Sequence, residues 1–542
     1  ETLNNDGGVT ALSRYTLRLL TIQQFQRALG AFVVADIKRV KNWLPDEILK
    51  SDKKFTDEKL NEKFLSKSFW GRSRFSIGLW IGGDATPVRF AWMGTKTRTI
   101  LNAEGILLPH TDTKSKKVSG TRYYEEKGDP AQVQKCPICK NILCIPQDSL
   151  SSDMLEDGIT WIISTSKTIA DLNSIPKEEF ETRPEKTVRL KEKPTFSEIS
   201  ELDDGRRFVR VTMKLTTKIK DTPRERIDRW WDKFVSPNFV NPPNTALAST
   251  SASFPGYFFV KRPGDTRPYD FAIFCTNAEC ELSRTEWSEY TADKCRSTIP
   301  EPFAKDANTS TSVPISAFTI DEQVYSRCPT FIIATSDKFA TLPWDPRCAS
   351  LFGNTDTSHM FFGYGRQVCY DAGLVAPILQ KGKNARIIPE PSEYSKTGRF
   401  LPPSLIIQDE LHLIEGPLGS MVGAYELSVD IMCKNGKTGP KYIASSATIK
   451  EAGTQVGTIF RKHISTFPAP GIFSSDNFFS KVSEDPSCIS NSAGRLYLGI
   501  CSAKSIYELP IKTCAILMSE IYKIRENPEA YGLTKSNVDK MI

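Results

Sequence analysis

The stretch SLIIQDELHLIEGP, residues 404–417, decides the fold. Leu405, Ile406 and Ile407 run apolar without interruption and then stop at Gln408, Asp409 and Glu410. A short apolar run without alternation is the pattern of a strand covered on both faces, as in a parallel sheet. Such sheets bind ligands beyond the carboxyl ends of their strands. The two acids stand at that end. Splitting a nucleoside triphosphate needs one carboxylate to hold Mg2+, directly or through water, and a neighbour to orient the attacking water. Asp409 suits the first role and Glu410 the second. A solitary Asp-Glu pair is common on solvated surfaces, so its weight comes from what surrounds it.

Working outward, Tyr442 to Ala444 in KYIASSATI is a second short apolar run, and it closes on Ser446-Ala447-Thr448. Hydroxyls there can reach the acids across neighbouring strand ends. Phe331 to Ala334 (FIIATSDKF) and Phe75 to Ile81 (FSIGLWIGGDATP) repeat the pattern. Val9 to Leu20 reads as a strand and loop leading into a helix over about Ile22 to Lys41. Thr21-Ile22-Gln23-Gln24 has the form of a capping box, and Ile22, Phe25, Leu29 and Val33 share one face, with Arg27, Lys38 and Arg39 off it. The fold class expected is α/β, a doubly wound parallel sheet.

Between about Arg89 and Ser326 the text changes to short mixed segments, prolines and charge-dense stretches such as RPEKTVRLKEKP. The organisation expected is therefore a first part of the α/β lobe over 1–88, an inserted module over 89–326 and the remainder of the lobe over 327–466. A linker and the start of a second lobe follow over 467–542, with a helix from about Ile511 to Arg525. The chain has 542 residues, 39% hydrophobic and 25% charged, ample for several ordinary domains and incompatible with a small disulfide-stapled scaffold. Its net charge of +7 suits a polyanionic partner without proving one. Thirteen scattered cysteines and no secretory leader point to a reducing cytoplasm. The first residue is Glu1, and both ends fall inside patterned text, so the sequence reads as a piece of a longer chain.

Within the insert, Cys136 and Cys139 have zinc-knuckle spacing, and Cys275 and Cys280 form a second close pair. Four thiolates close a tetrahedral structural Zn2+ site when loops bring two pairs together. Zinc is the favoured reading, with Cys144 a rival for the second ligand pair and simply buried or free thiols the alternative. Arg229-Trp230-Trp231, followed by Lys233 and Phe234, reads either as a stacking platform or as core. Gly436-Lys437-Thr438 lies between the two strand-end motifs, lacks an earlier glycine and reads as a surface turn. His110, His359 and His463 have no evident catalytic partner.

DELH followed by SAT, each closing a short apolar strand in this order, resembles superfamily 2 helicases. RYTLRLLTIQQFQRA (14–28), FSIGLWIGGDATP (75–87), FIIATSDKFATLP (331–343), LPPSLIIQDELHLIEGPLGSMVGAYE (401–426) and KYIASSATI (441–449) together resemble the DISARM anti-phage helicase family. The resemblance implies RecA-like lobes and a bacterial cytoplasmic protein. It also implies ATP and Mg2+ as cofactors, DNA with a single-stranded portion as substrate, and a DUF1998-containing partner subunit, DrmB. It assigns Asp409, Glu410, His412, Ser446 and Thr448 to the nucleotide site. It assigns phosphate contacts to strand-end loops: Arg14, Thr16 and Arg18 in the first, Gly82, Gly83 and Asp84 in the second, and Thr335, Ser336 and Lys338 in the third; the alternative for Arg14 and Arg18 is structural salt bridges. No G-x-x-x-x-G-K-[ST] loop occurs in the 542 residues, and no second-lobe arginine-finger motif. The expectation is an ATPase only in a longer chain. The competing expectations are a non-hydrolysing DNA clamp with a helicase-like lobe and a zinc-dependent nucleic-acid-binding module.

Overall fold

The computed structural model describes residues 3–4, 7–40, 74–90, 128–145, 159–165, 167–177, 191–201, 207–214, 315–359, 363–371, 394–446, 452–467 and 508–535. Shorter stretches are also described, among them 247–249, 256–260, 270–275, 277 and 280–282. The chain divides into two compact units, Glu1–His463 and Ile464–Ile542.

The first unit is mixed α/β and is organised around six parallel strands, numbered here in chain order: β1 Ala11–Tyr15, β2 Ile77–Trp80, β3 Ala317–Phe318, β4 Phe331–Thr335, β5 Leu405–Gln408 and β6 Lys441–Ala444. Their order across the sheet is β3-β2-β4-β1-β5-β6. The register sets Gln408 beside both Arg14 and Ala444, so the acidic turn after β5 emerges between the ends of β1 and β6.

Helices pack on both faces. On one lies α1, Arg18–Val40, whose Phe25, Leu29, Val33 and Ile37 meet Ile77, Leu79 and Ile333. On the other lie α2 (Asp321–Arg327), α3 (Gly416–Met432) and α4 (Ala452–Phe460), packed with Leu12, Trp80, Ile332 and Ile406. β2, β3 and β4 alternate between the two apolar clusters, which is why their runs carry no polar alternation. β5 gives Ile406 to the second alone, and the edge strand β6, expected to be covered on both faces, is largely exposed.

The helix expectation is corrected at its start. α1 begins one turn early, at Arg18, and Thr21 is buried inside it with its hydroxyl donating to the Leu17 carbonyl at 2.8 Å rather than capping the helix. Arg39, expected on the solvated side, is buried and bonds Asp36 at 2.8 Å, while Arg74 reaches the other Asp36 oxygen at 2.6 Å. A further difference is that β3 and α2, read from sequence as the tail of the insert, belong to the central sheet and its cover.

Residues between β2 and β3 form two three-stranded antiparallel sheets. One has the order Ile159–Thr165, Arg207–Met213, Thr195–Glu201, and the other the order Leu247–Ser249, Tyr257–Val260, Asp270–Ile273. The second is fastened to α2 by a buried ion pair, Arg327 to Asp270 at 2.5 Å, with Gln323 donating to the same carboxylate at 2.6 Å. In the second unit the longest described element is α5, Glu508–Glu526, which shows Ile511, Ile516, Leu517, Met518 and Tyr522 exposed. No described helix is long and apolar enough to cross a membrane.

Candidate functional site

Where β5 ends, the backbone turns sharply. Glu410 sits in the left-handed region at φ 49°, a conformation that disfavours a residue with a Cβ and that tends to be held at functional positions. The turn is stitched on both sides. The Asp409 N–H donates to the Arg14 carbonyl of β1 at 2.9 Å, and the Leu411 N–H donates to the Ser445 carbonyl beyond β6 at 3.0 Å. Asp409 Oδ1 accepts the Glu410 N–H at 3.0 Å and the Ser445 hydroxyl. Both bonds use one oxygen of that carboxylate. Glu410 Oε2 lies 3.3 Å from His412 Nδ1, which is 3.4 Å from Ser446 Oγ.

Asp409, Glu410, His412 and Ser446 therefore lie together at the ends of β5 and β6, with Ser446 exposed and the other three half-buried. Thr448 lies outside the described residues. Ser445 was missed in the sequence reading, which took the hydroxyls of the motif from Ser446 and Thr448. Its only signal was position, as the first residue after β6.

The second candidate set occupies the ends of β1, β2 and β4 on the same edge of the sheet. Arg18 bridges the loops, lying 3.3 Å from Asp84 and 3.9 Å from Asp337, with all three side chains substantially exposed. Its guanidinium lies over Gly82, where a Cβ would meet it at 2.9 Å and the flexible, exposed arginine could move aside. Gly83 is exposed beside it. Thr16 is half-buried, and Thr335 and Ser336 are buried.

Two of the expected phosphate-binding cations are corrected. Arg14 is 0% exposed and bonds Glu426 of α3 at 2.5 and 3.4 Å. Burial alone would lower its pKa, but the Glu426 carboxylate outweighs this and holds it above its ordinary value. Lys338 is likewise buried, 2.5 Å from Asp321. Both side chains turn inward because acids on α3 and α2 neutralise them beneath the sheet end, leaving neither available to solvent.

The four cysteines converge. The sulfurs of Cys136, Cys139, Cys275 and Cys280 all lie within 4.8 Å of one another, with Cys136–Cys280 at 3.8 Å and Cys139–Cys275 at 3.3 Å. Zinc–sulfur bonds of about 2.3 Å at tetrahedral angles place sulfurs roughly 3.8 Å apart, so the donor set fits. Cys136–Cys139 forms the tip of a small hairpin closed by a Lys135–Ile142 bridge, with Lys140 at φ 63° completing the turn. Backbone N–H groups of Ile138 and Cys139 bond the Cys136 sulfur, that of Asn277 the Cys275 sulfur at 3.4 Å, and that of Leu282 the Cys280 sulfur. Amides aimed at sulfur stabilise thiolates, the metal-binding form. Hydrogen bonds from Cys275 and Cys280 hold the Cys136 thiol far below its ordinary value, and Cys275, bonded to Cys136, is pushed up.

Cys144 is not in the group; its sulfur bonds the Ala131 carbonyl at 3.4 Å. The Asn435–Thr438 bridge makes Gly436-Lys437-Thr438 a surface turn, with Gly436 at φ 63°. Cys328, Cys348, Cys369 and Cys433 are buried singly, and His359 is buried while His463 is exposed. Arg229, Trp230, Trp231, Lys233, Phe234, His110, Cys295 and Cys488 lie outside the described residues.

No protein-family model matches the chain. A curated relative is the DISARM protein DrmA of Bacillus paralicheniformis, 33% identical over 278 residues, which is 50% of this chain and 21% of that protein. The chain thus resembles DrmA across half of its own length and spans about a fifth of the length of that relative.

Proposed function

We propose that this chain is part of a superfamily 2 ATP-dependent DNA helicase or translocase of bacterial anti-phage defence, acting in the cytoplasm within a DISARM assembly that includes a DrmB-type partner. The six-stranded parallel sheet is read as a RecA-like lobe. One observation carries the reading: Asp409 and Glu410, on a left-handed turn at a strand end, lie beside Ser445 and Ser446, which follow directly on the neighbouring parallel strand. Likeness to DrmA supports the biological setting.

When bound, Mg-ATP supplies the phosphoanhydride bond to be broken, and Mg2+ neutralises charge developing on its phosphate oxygens. Asp409, fixed through Oδ1 by Ser445 and by the Glu410 N–H, would hold the metal with its other oxygen. Glu410 would orient the attacking water, and its link to His412 and Ser446 ties that orientation to the end of β6. Holding the triphosphate also requires a glycine-rich phosphate loop, which these 542 residues do not contain. DNA phosphates would be held by backbone amides and hydroxyls of the strand-end loops together with Arg18. The four cysteines would hold a structural zinc.

The test is Glu410→Gln in the full-length protein. ATP turnover is expected to fall by about 100-fold or more while nucleotide and DNA binding persist. Undiminished turnover removes the assignment.

A further inference from the structure

Arg14 touches, with its two ends, both of the loops that such an enzyme must keep in step. Its backbone carbonyl accepts the Asp409 N–H at 2.9 Å and the Gln408 side-chain amide at 3.4 Å, which fixes where the acidic turn begins. Its guanidinium bonds Glu426 and lies over the rings of Phe339 and Phe460, 5.4 and 5.8 Å from their centroids. Phe339 belongs to the loop Ser336–Thr341 after β4 and stacks on Tyr425 at 5.7 Å. The Tyr425 hydroxyl donates to the Ser336 carbonyl of that loop at 2.7 Å. A planar guanidinium offers a face to a ring and an edge to a carboxylate at once, which neither lysine nor an apolar side chain can do.

We propose that Arg14, with Glu426 and Phe339, is a positioning element that couples the Ser336–Thr341 loop to the acidic turn, so that a phosphate backbone pressing on the loop shifts Asp409. The identity of the ligand and the role of the turn rest on the function proposed above; the mechanical link does not. Displacement of Phe339 moves the surface against which the guanidinium lies, and the strand carrying Arg14 carries the Asp409 contact with it. Arg14 Nε, Ser336 Oγ and Gln408 Oε1 are buried without a partner among the described residues, so the network retains bonding capacity that a second arrangement can use.

Hydrogen exchange over residues 404–414 tests the link in this chain without nucleotide. Phe339→Leu is expected to speed exchange there about fivefold, within the range that coupling between packed segments produces. In a chain already carrying Arg14→Met and Glu426→Leu, the same substitution is expected to add little. Equal acceleration in both backgrounds overturns the proposal. If the double variant does not melt cooperatively, Arg14→Lys replaces it, keeping the charge and losing the flat face, with the same expectation and the same overturning result. In the full-length protein the double variant is expected to lose about tenfold of the ratio of DNA-stimulated to basal ATP turnover. Full stimulation also overturns the link. Absence of turnover in the unsubstituted full-length protein counts against the proposed function alone, and the exchange measurement then decides the coupling.

Discussion

Stripping metal from the four-cysteine cluster should unfold more than the cluster. Cys136, Cys275 and Cys280 are buried in the apolar cluster that also holds Phe25, Leu29, Val33 and Ile37 of α1 and Ile77, Leu79 and Ile333 of the central sheet. Binding of a structural zinc is worth on the order of 10–16 kcal/mol near neutral pH. Whole domains are stable by only about 5–15 kcal/mol. The metal term is therefore as large as everything it supports, and the cysteines share one apolar cluster with α1. Elemental analysis is expected to give one zinc per chain. On chelation, hydrogen-exchange protection of Arg18–Val40 should collapse together with that of the cysteine loops, as one transition. Cys144→Ser should leave both metal content and protection unchanged, because that sulfur faces the Ala131 carbonyl. Failure to find zinc, or an α1 that stays protected in chelator, refutes the argument that the cluster is part of the lobe's core.

Two further outcomes follow from the buried charges. Glu426→Leu leaves the Arg14 guanidinium unpaired at 0% exposure and should cost about 3–5 kcal/mol, whereas Arg14→Met with Glu426→Leu should be close to neutral; urea titration of the three chains separates these cases. Burial raises the Asp321 carboxyl to about 6 even against the attraction of Lys338. An unfolded aspartate titrates near 3.9, so between those values the folded chain carries the extra proton. That contribution to stability is full below about pH 4 and is lost as pH rises towards 6, and Asp321→Asn should flatten the step in a series of urea midpoints.

What the sequence made legible was period and strand end. Phe25, Leu29 and Val33 fall on the buried face of α1 as their spacing predicts, and the apolar runs before GGDATP, SDKF, QDELH and SSAT all become strands of one parallel sheet. CxxC and its distant pair were legible because thiolate ligands need local turns, which leave a spacing behind. Partners far along the chain were not. Nothing near Arg39 announces Arg74, and nothing near Arg14 announces Glu426, yet those contacts decide that both arginines point inward. Thr21 shows the same limit: the helix starts at Arg18, so the capping pattern three residues later lands inside it and the Thr21 hydroxyl bonds the Leu17 carbonyl. β3 spans two residues, too short to leave any period.

The inward turn of Arg14 and Lys338 changes what the strand-end loops can do with a nucleic acid. Of the three cations expected there, only Arg18 is exposed, and it is held between two exposed carboxylates. Exposed pairs of this kind are worth about 0–1 kcal/mol each, so a phosphate can displace them at little cost. Binding through these loops should then release few counterions. A single cation engaging one phosphate contributes a slope of only about −0.7 in log K against log salt for single-stranded DNA. Arg18→Ala should remove about that much slope, measured by fluorescence anisotropy of a labelled oligonucleotide over a salt series. Arg14→Lys should leave the slope as it was, because a cation buried against Glu426 faces no solvent phosphate. If Arg14→Lys flattens the salt dependence as much as Arg18→Ala does, the buried pair must open to DNA, and the division between a phosphate-facing Arg18 and an inward-facing Arg14 is wrong.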